Sequence, residues 1–233
     1  MAFRLSIALG VVALLGGGAS AAQFNVYDDG DAIGSCPSLK TIELVGDIEE
    51  GDFERLHELL TPGQASNSEH YVEIGRLSFD SAGGDYFEAV KISHLLRGYN
   101  IQSYVSADAR CTGACAIAFM GGTGIGMEGY FPPDRRFVLG AEIQLTMPSF
   151  ADVARKEGGS EREVSQQTRN LTLQLFVEIL LLAGDREWSS ELIRRLVEDG
   201  PGHAVDLTEP QVAEANQLKQ GENCQPYRQW LEE

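Results

Sequence analysis

Basic residues are scarce in this chain: 18 Lys and Arg stand against 35 Asp and Glu, a formal charge of −17. Such an excess repels phosphate backbones and anionic membrane surfaces, so nucleic acid is excluded as a partner class. The acids are scattered rather than clustered, as befits a solvated surface that keeps a protein soluble. No long membrane-crossing run is present either. A span needs about 20 apolar residues, and the stretch Ile7 to Leu15 falls short of that before Gly16, Gly17 and Gly18 interrupt it. Histidine is sparse: His57, His70, His94 and His203 stand singly, with no spacing that would hold a metal ion. Neither a metal nor an organic cofactor is expected. The glycine-rich stretch Gly121 to Gly129 lacks the Lys-Ser/Thr that a phosphate loop requires, so it reads as a connection. There is no internal repeat and no long linker.

What is present begins with a leader. Arg4, the apolar run and the small residues Ala19-Ser20-Ala21 have the charge, length and cleavage pattern of a secretory signal peptide. Cleavage after Ala21 is expected, giving residues 1–21 as signal peptide and 22–233 as one domain with no membrane span. That domain is large enough to bury a core. Losing Arg4 with the leader takes the charge from −17 to −18. The expected location is therefore outside the cytoplasm, periplasmic or secreted.

Cys36, Cys111, Cys115 and Cys224 all follow the leader, an even number in an oxidising compartment, which favours two disulfides. Three pairings are possible. Cys36 and Cys224 lie near opposite ends, where a bridge would fasten the tails. Cys111 and Cys115, four apart at a helix mouth, would have Cα atoms roughly 6 Å apart, inside the disulfide range. The expectation is Cys36 with Cys224 and Cys111 with Cys115.

The chain is organised around Leu77 to Gly122. Leu77, Ser78 and Phe79 read as a short buried strand that runs into Ser81-Ala82-Gly83-Gly84, where two glycines permit left-handed backbone and close approach of a ligand. Ala89, Ile92, Leu95, Leu96 and Tyr99 recur at helical spacing, predicting a helix over Tyr86 to Arg97 that Gly98 stops. Ile101 to Val105 alternates as a strand does, and strand, helix, strand at this spacing predicts a crossover unit with parallel strands. Ala114, Ala116, Ile117, Ala118 and Phe119 then leave no polar face, so that helix is expected to be buried. Its N-terminus carries unpaired amides and partial positive charge, which suit it to an oxyanion or carbonyl oxygen. Gly83, Gly84, Gly113 and Ala114 are the candidate oxyanion or ligand-binding residues, with plain chain turning as the alternative role for the glycines.

The run LSFDSAGGDYFEAVKISHLLR, followed by CTGACAIAFMGG, resembles the Clp protease and crotonase superfamily, in particular its secreted bacterial, periplasmic branch. There the first element reads Ser, Pro or another residue, Gly, Gly, and the second reads Cys, any residue, Ser, Ala, Cys, Ala. The likeness covers Thr41 to Glu142, about half of the mature chain. It implies an α/β fold, a spiral of parallel-strand βαβ units, with an oxyanion hole, a serine nucleophile and a histidine base. This sequence departs from the pattern at both catalytic positions. Gly113 stands where the nucleophilic serine belongs, and the matching base position falls on Glu142, within a strand read from Phe137 to Leu145. Acyl transfer needs a hydroxyl or thiol with a base in reach, and glycine offers neither. Thr112 is one residue off, which rotates a side chain at a helix start by about 100° and makes it a poor substitute.

Around this unit, Thr41 to Val45 predicts a first strand and Phe53 to Leu60 a helix. Pro148 opens a helical C-terminal region: Val164, Leu171, Leu175, Ile179 and Leu182 mark a long helix ended by Gly184. Ser189 caps the next helix, Val205 to Leu207 reads as the last strand, and Pro210 starts a final helix. The leucine-rich stripe suits a homo-oligomer surface as well as it suits cover for the sheet.

Two function classes follow. One is an exported pseudoenzyme that binds a peptide or protein through the retained amide-lined groove. The other is an exported hydrolase or crotonase-like enzyme using the oxyanion hole with Glu142 as proton carrier. Crotonase chemistry implies a coenzyme A thioester, which an exported protein does not ordinarily meet.

Overall fold

The structure, a computed structural model, describes residues 22–27, 40–61, 74–124, 132–156 and 166–221. The leader, Cys36, Cys224, Val164 and residues 125–129 of the glycine-rich stretch lie outside these. Among the described residues, no helix is long and apolar enough to cross a membrane.

The chain alternates strands and helices. β1 (Gln23–Tyr27) and β2 (Lys40–Val45) precede α1 (Asp52–Leu60), and β3 (Ile74–Asp80) precedes α2 (Tyr86–Gly98). β4 (Gln102–Val105), β5 (Arg110–Thr112) and α3 (Ala114–Phe119) complete the central unit, followed by β6 (Arg135–Phe137) and β7 (Glu142–Thr146). The C-terminal part comprises α4 (Phe150–Lys156), α5 (Gln166–Asp185), α6 (Ser190–Asp199), β8 (Ala204–Asp206), α7 (Pro210–Ala215) and β9 (Leu218–Gln220).

Two sheets result. The larger has the order β1-β2-β3-β4-β6-β9, and the smaller β5-β7-β8. β2, β3, β4, β6 and β9 all run parallel, while β1 closes the edge antiparallel to β2. The expected parallel pairing of the Leu77 and Ile101 strands is found, with Leu77 opposite Ser103. A single parallel bridge between Ser81 and Cys111 links the sheets where β3 ends.

Local chemistry explains the central helices. Asp85 caps α2: its Oδ1 accepts from the amides of Phe87 at 2.8 Å and Glu88 at 3.3 Å. Every residue of α3 is buried, and the helix packs against α2, β5 and β7. Its alanines permit the close approach, while Phe119 meets Phe79 edge to face at 6.4 Å. Burying Ile117 and Phe119 contributes about 1.5–3 kcal/mol each. In the long helix α5, Leu175, Ile179 and Leu182 turn into the core, while Leu173, Val177 and Leu181 face outward. Ser189 caps α6 through Leu192 N, and Pro210 opens α7, as expected.

Three expectations are corrected. Phe137 to Leu145 is not one strand: Val138 to Ala141 forms a turn, with Gly140 at φ 97°, and β6 and β7 belong to different sheets. Val205 lies in β8, but β9 follows it and takes the edge of the larger sheet. Cys111 belongs to β5 rather than to a helix. The Cys111–Cys115 disulfide nonetheless forms, with Cα atoms 5.1 Å apart.

Candidate functional site

The site is a sharp strand-to-helix elbow. β5 ends at Thr112, Gly113 turns the chain with φ 57° and ψ −121°, and α3 begins at Ala114. Side chains rarely adopt that conformation, so glycine makes the elbow without strain. The amide of Gly113 donates to Gln144 O at 2.9 Å, which ties the elbow to β7. Thr112 donates its hydroxyl to Ala82 O at 2.8 Å and so tethers the neighbouring turn.

That neighbouring turn is Ser81 to Gly84. Ser81 Oγ accepts from Gly83 N at 3.2 Å, and Gly83 O accepts from Ile48 N at 2.9 Å. Gly84, at φ 117°, lies so close to the chain beyond β2 that a Cβ there would stand 2.1 Å from Ile48 O. Only glycine fits. Of the four candidate amides, Gly113 and Gly83 are thus already engaged. The amides of Gly84 and Ala114 have no acceptor among the described residues, and both residues line the same cavity.

The cavity measures about 870 Å³, toward the upper end of ordinary ligand pockets. Its floor is the two turns, and one wall is β7 with Gln144, Thr146 and Met147. Its rim is acidic: Asp47, Glu49, Glu50, Asp85 and Asp152 line it, with no Lys, Arg or His among the described residues. Buried Glu88 anchors the rim loop, accepting from Gly51 N at 3.2 Å and Phe53 N at 3.0 Å. Lys91 bonds the same carboxylate at 2.6 Å, which raises the ammonium above its ordinary pKa. Directly over Gly113, the hydroxyls of Tyr86 and Thr146 meet at 2.8 Å. A Cβ built on Gly113 would stand 3.3 Å from Tyr86 OH and 3.5 Å from Thr146 Oγ1.

No family model and no curated protein matches this sequence. Among solved structures, the chain is similar to a mutant of ClpP1 from Listeria monocytogenes, with a TM-score of 0.50 and 12% identity. The match covers 78% of this chain and 92% of that one. The fold is ClpP-like.

Within this ClpP-like fold, Glu142 lies away from the elbow. Glu142 is the exposed first residue of β7 and is absent from the cavity wall. Glu142, Gln144 and Thr146 share one face of β7 by strand alternation, opposite buried Ile143 and Leu145. Four residues at about 3.3 Å each put Glu142 roughly 13 Å from Thr146 along the strand. Thr146 sits at the carboxyl end, where parallel sheets bind ligands. The β7 side chain that faces position 113 is that of Thr146, not Glu142.

Sequence reasoning thus placed the elbow and the glycine turn correctly but missed Tyr86 and Thr146. A signal for Thr146 existed. Ile143 and Leu145 alternate with polar residues up to Met147-Pro148, and a proline marks a strand end. Nothing in the sequence singled out Tyr86, whose position follows from the capping of α2 by Asp85.

Proposed function

We propose that this chain is an exported, non-catalytic protein that binds a polypeptide segment in the cavity of its ClpP-like fold. The observation that carries this reading is the Tyr86–Thr146 hydroxyl pair seated over Gly113. Where a serine and a histidine would do acyl transfer, this chain has a glycine faced by two alcohols. Neither a phenol nor an aliphatic hydroxyl is the histidine that acyl transfer of this type uses as its base. Glu142 lies roughly 13 Å along β7 from Thr146, which counts against it as the proton carrier of an enzymatic reading.

The binding apparatus is intact by contrast. The unpaired amides of Gly84 and Ala114 suit a peptide carbonyl oxygen, and Tyr86 and Thr146 offer further polar contacts beside it. The acidic rim repels Asp- and Glu-rich segments and accommodates neutral or basic ones. Export rests on the leader-like residues 1–21. Association with a second copy, if it uses the leucine-rich helix, would employ the outward Leu173, Val177 and Leu181 of α5.

The test is fluorescence anisotropy with labelled unstructured peptides of neutral, basic and acidic composition, followed by mass spectrometry of the recovered peptide. Saturable binding of neutral or basic peptides, recovered uncut and lost in Thr146→Phe, is expected. Catalytic cleavage, or failure of every peptide to bind, overturns the reading.

A further inference from the structure

A cluster of buried donors lies away from the cavity, at the corner where β6, the α5–α6 turn and α2 meet. Arg135 has no solvent exposure and Arg186 is 3% exposed. Arg135 donates Nη1 to Asn216 O at 3.0 Å and Nη2 to Arg186 O, while its Nε has no acceptor. Arg186 donates Nη2 to His94 Nδ1 at 3.2 Å, leaving Nε and Nη1 without acceptors. Trp188, 5% exposed and two residues on, has an unmatched Nε1 as well. Asn216 knits the corner together, since its Oδ1 also accepts from Ser189 N at 2.8 Å.

Among the described residues, every hydrogen-bond partner of these guanidiniums is a backbone carbonyl or the His94 imidazole. Neither arginine forms a salt bridge among the described residues. Both arginines are charged at neutral pH, so two charges are buried with no ion-pair partner among the described residues. The surroundings add to the imbalance. Arg97 and Arg135 are further cations beside Arg186, which burial and Arg97 push down to about 10. Burial, aided by Arg186, pushes Arg135 down to about 9. Two acids act on the corner without pairing within it: Asp185, 65% exposed and paired with Arg97 at 3.6 Å, acts on Arg186, and Glu187, which holds the Gln217 amide, acts on Arg135. In a chain of charge −17, this is a buried electropositive spot.

We infer that this corner binds a small monovalent anion of the chloride class on Arg135 and Arg186. Water could satisfy the donors but would leave the charges unpaired, whereas one anion does both. All four unmatched atoms are donors, so the ligand is purely an acceptor. Burial of the corner favours an ion that sheds its hydration readily over a divalent oxyanion. The bound ion would fasten the α5–α6 turn to β6 and, through Asn216, to the end of α7. None of these residues lines the cavity, so this site stands independently of the proposed polypeptide binding.

The test is thermal unfolding of the purified full chain at fixed ionic strength, with chloride progressively replacing gluconate. A saturable rise in Tm of about 5–10 °C is expected at a hundredfold excess over Kd. Arg186→Met should remove the chloride dependence. Because that variant could fail to fold, crystals of the wild-type protein soaked in bromide supply a second reading. An anomalous peak in hydrogen-bond range of Arg186 or Arg135 is expected. A Tm indifferent to the identity of the anion, or bromide found everywhere but this corner, overturns the inference.

Discussion

Thr146 Oγ1 stands 3.5 Å from where a Cβ on Gly113 would be. The proposed absence of catalysis rests on this pair: the elbow carries no side chain, and the β7 residue facing it is an alcohol. Activation of a hydroxyl requires an adjacent general base, and the two side chains nearest position 113 are those of Tyr86 and Thr146.

The close approach of Gly84 to Ile48 shapes the floor of the cavity. Gly84→Ala would put a Cβ 2.1 Å from Ile48 O at a φ of 117°, so backbone must move. Strain and overpacking together should cost about 2–5 kcal/mol in urea denaturation. Gly98→Ala serves as the contrast: it meets nothing within 4 Å at the end of α2. It should gain about 0.5–1 kcal/mol. Equal effects of the two substitutions would contradict the packing described here.

The Cys111–Cys115 bridge closes a very short loop across the elbow. Chain entropy for such a loop gives about 2 kcal/mol, so Cys111→Ala with Cys115→Ala should lower stability by that order. Both sulfurs are fully buried, so native protein should resist external thiols until denaturant opens the elbow. Rapid reduction of the folded protein, followed by mass-shift alkylation, would argue against this burial.

Acid should weaken the fold through His94. Burial, and secondarily Arg186, lowers its pKa below the ordinary 6.5, so the unfolded chain binds the proton more readily. The contribution is therefore full above pH 6.5 and is lost as pH falls from there toward the lowered value. Denaturation midpoints of wild type and His94→Gln, measured from pH 7.5 to 5, should diverge, with a shallower fall in the variant. Parallel profiles would remove His94 from the account.

The central unit was legible in the sequence because its elements are long or uniform. The helical recurrence of Ala89, Ile92, Leu95 and Leu96 and the unbroken apolar run at Ala114 state their burial directly. β5 was not legible, since three residues carry no periodicity. The turn between β6 and β7 hid for a different reason: Val138 and Leu139 are apolar and extend the pattern of a strand, although Gly140 in left-handed conformation breaks it. Arg135, the largest fully buried side chain, was invisible because a charged residue in an Asp-Arg-Arg run looks solvated.

Export predicts a defined N-terminus. Protein recovered outside the cytoplasm should begin at Ala22, whose carbonyl accepts from Arg55 Nη2 at 2.9 Å and so ties the start of the domain to α1. N-terminal sequencing checks this directly. A protein that retains Met1 and stays in the cytoplasm would contradict it.

The central claim is loss of the nucleophile and base, and intact-mass measurement after treatment with a fluorophosphonate probe tests it most directly. Wild type should gain no probe, although the amides of Gly84 and Ala114 could still support a faint esterase background of ~10³–10⁴ over water. Gly113→Ser alone should remain close to unlabelled, and Gly113→Ser with Thr146→His should gain labelling. Stoichiometric labelling of wild type, or labelling of Gly113→Ser at the rate of the double variant, would show a nucleophile or a base already in place and contradict the account.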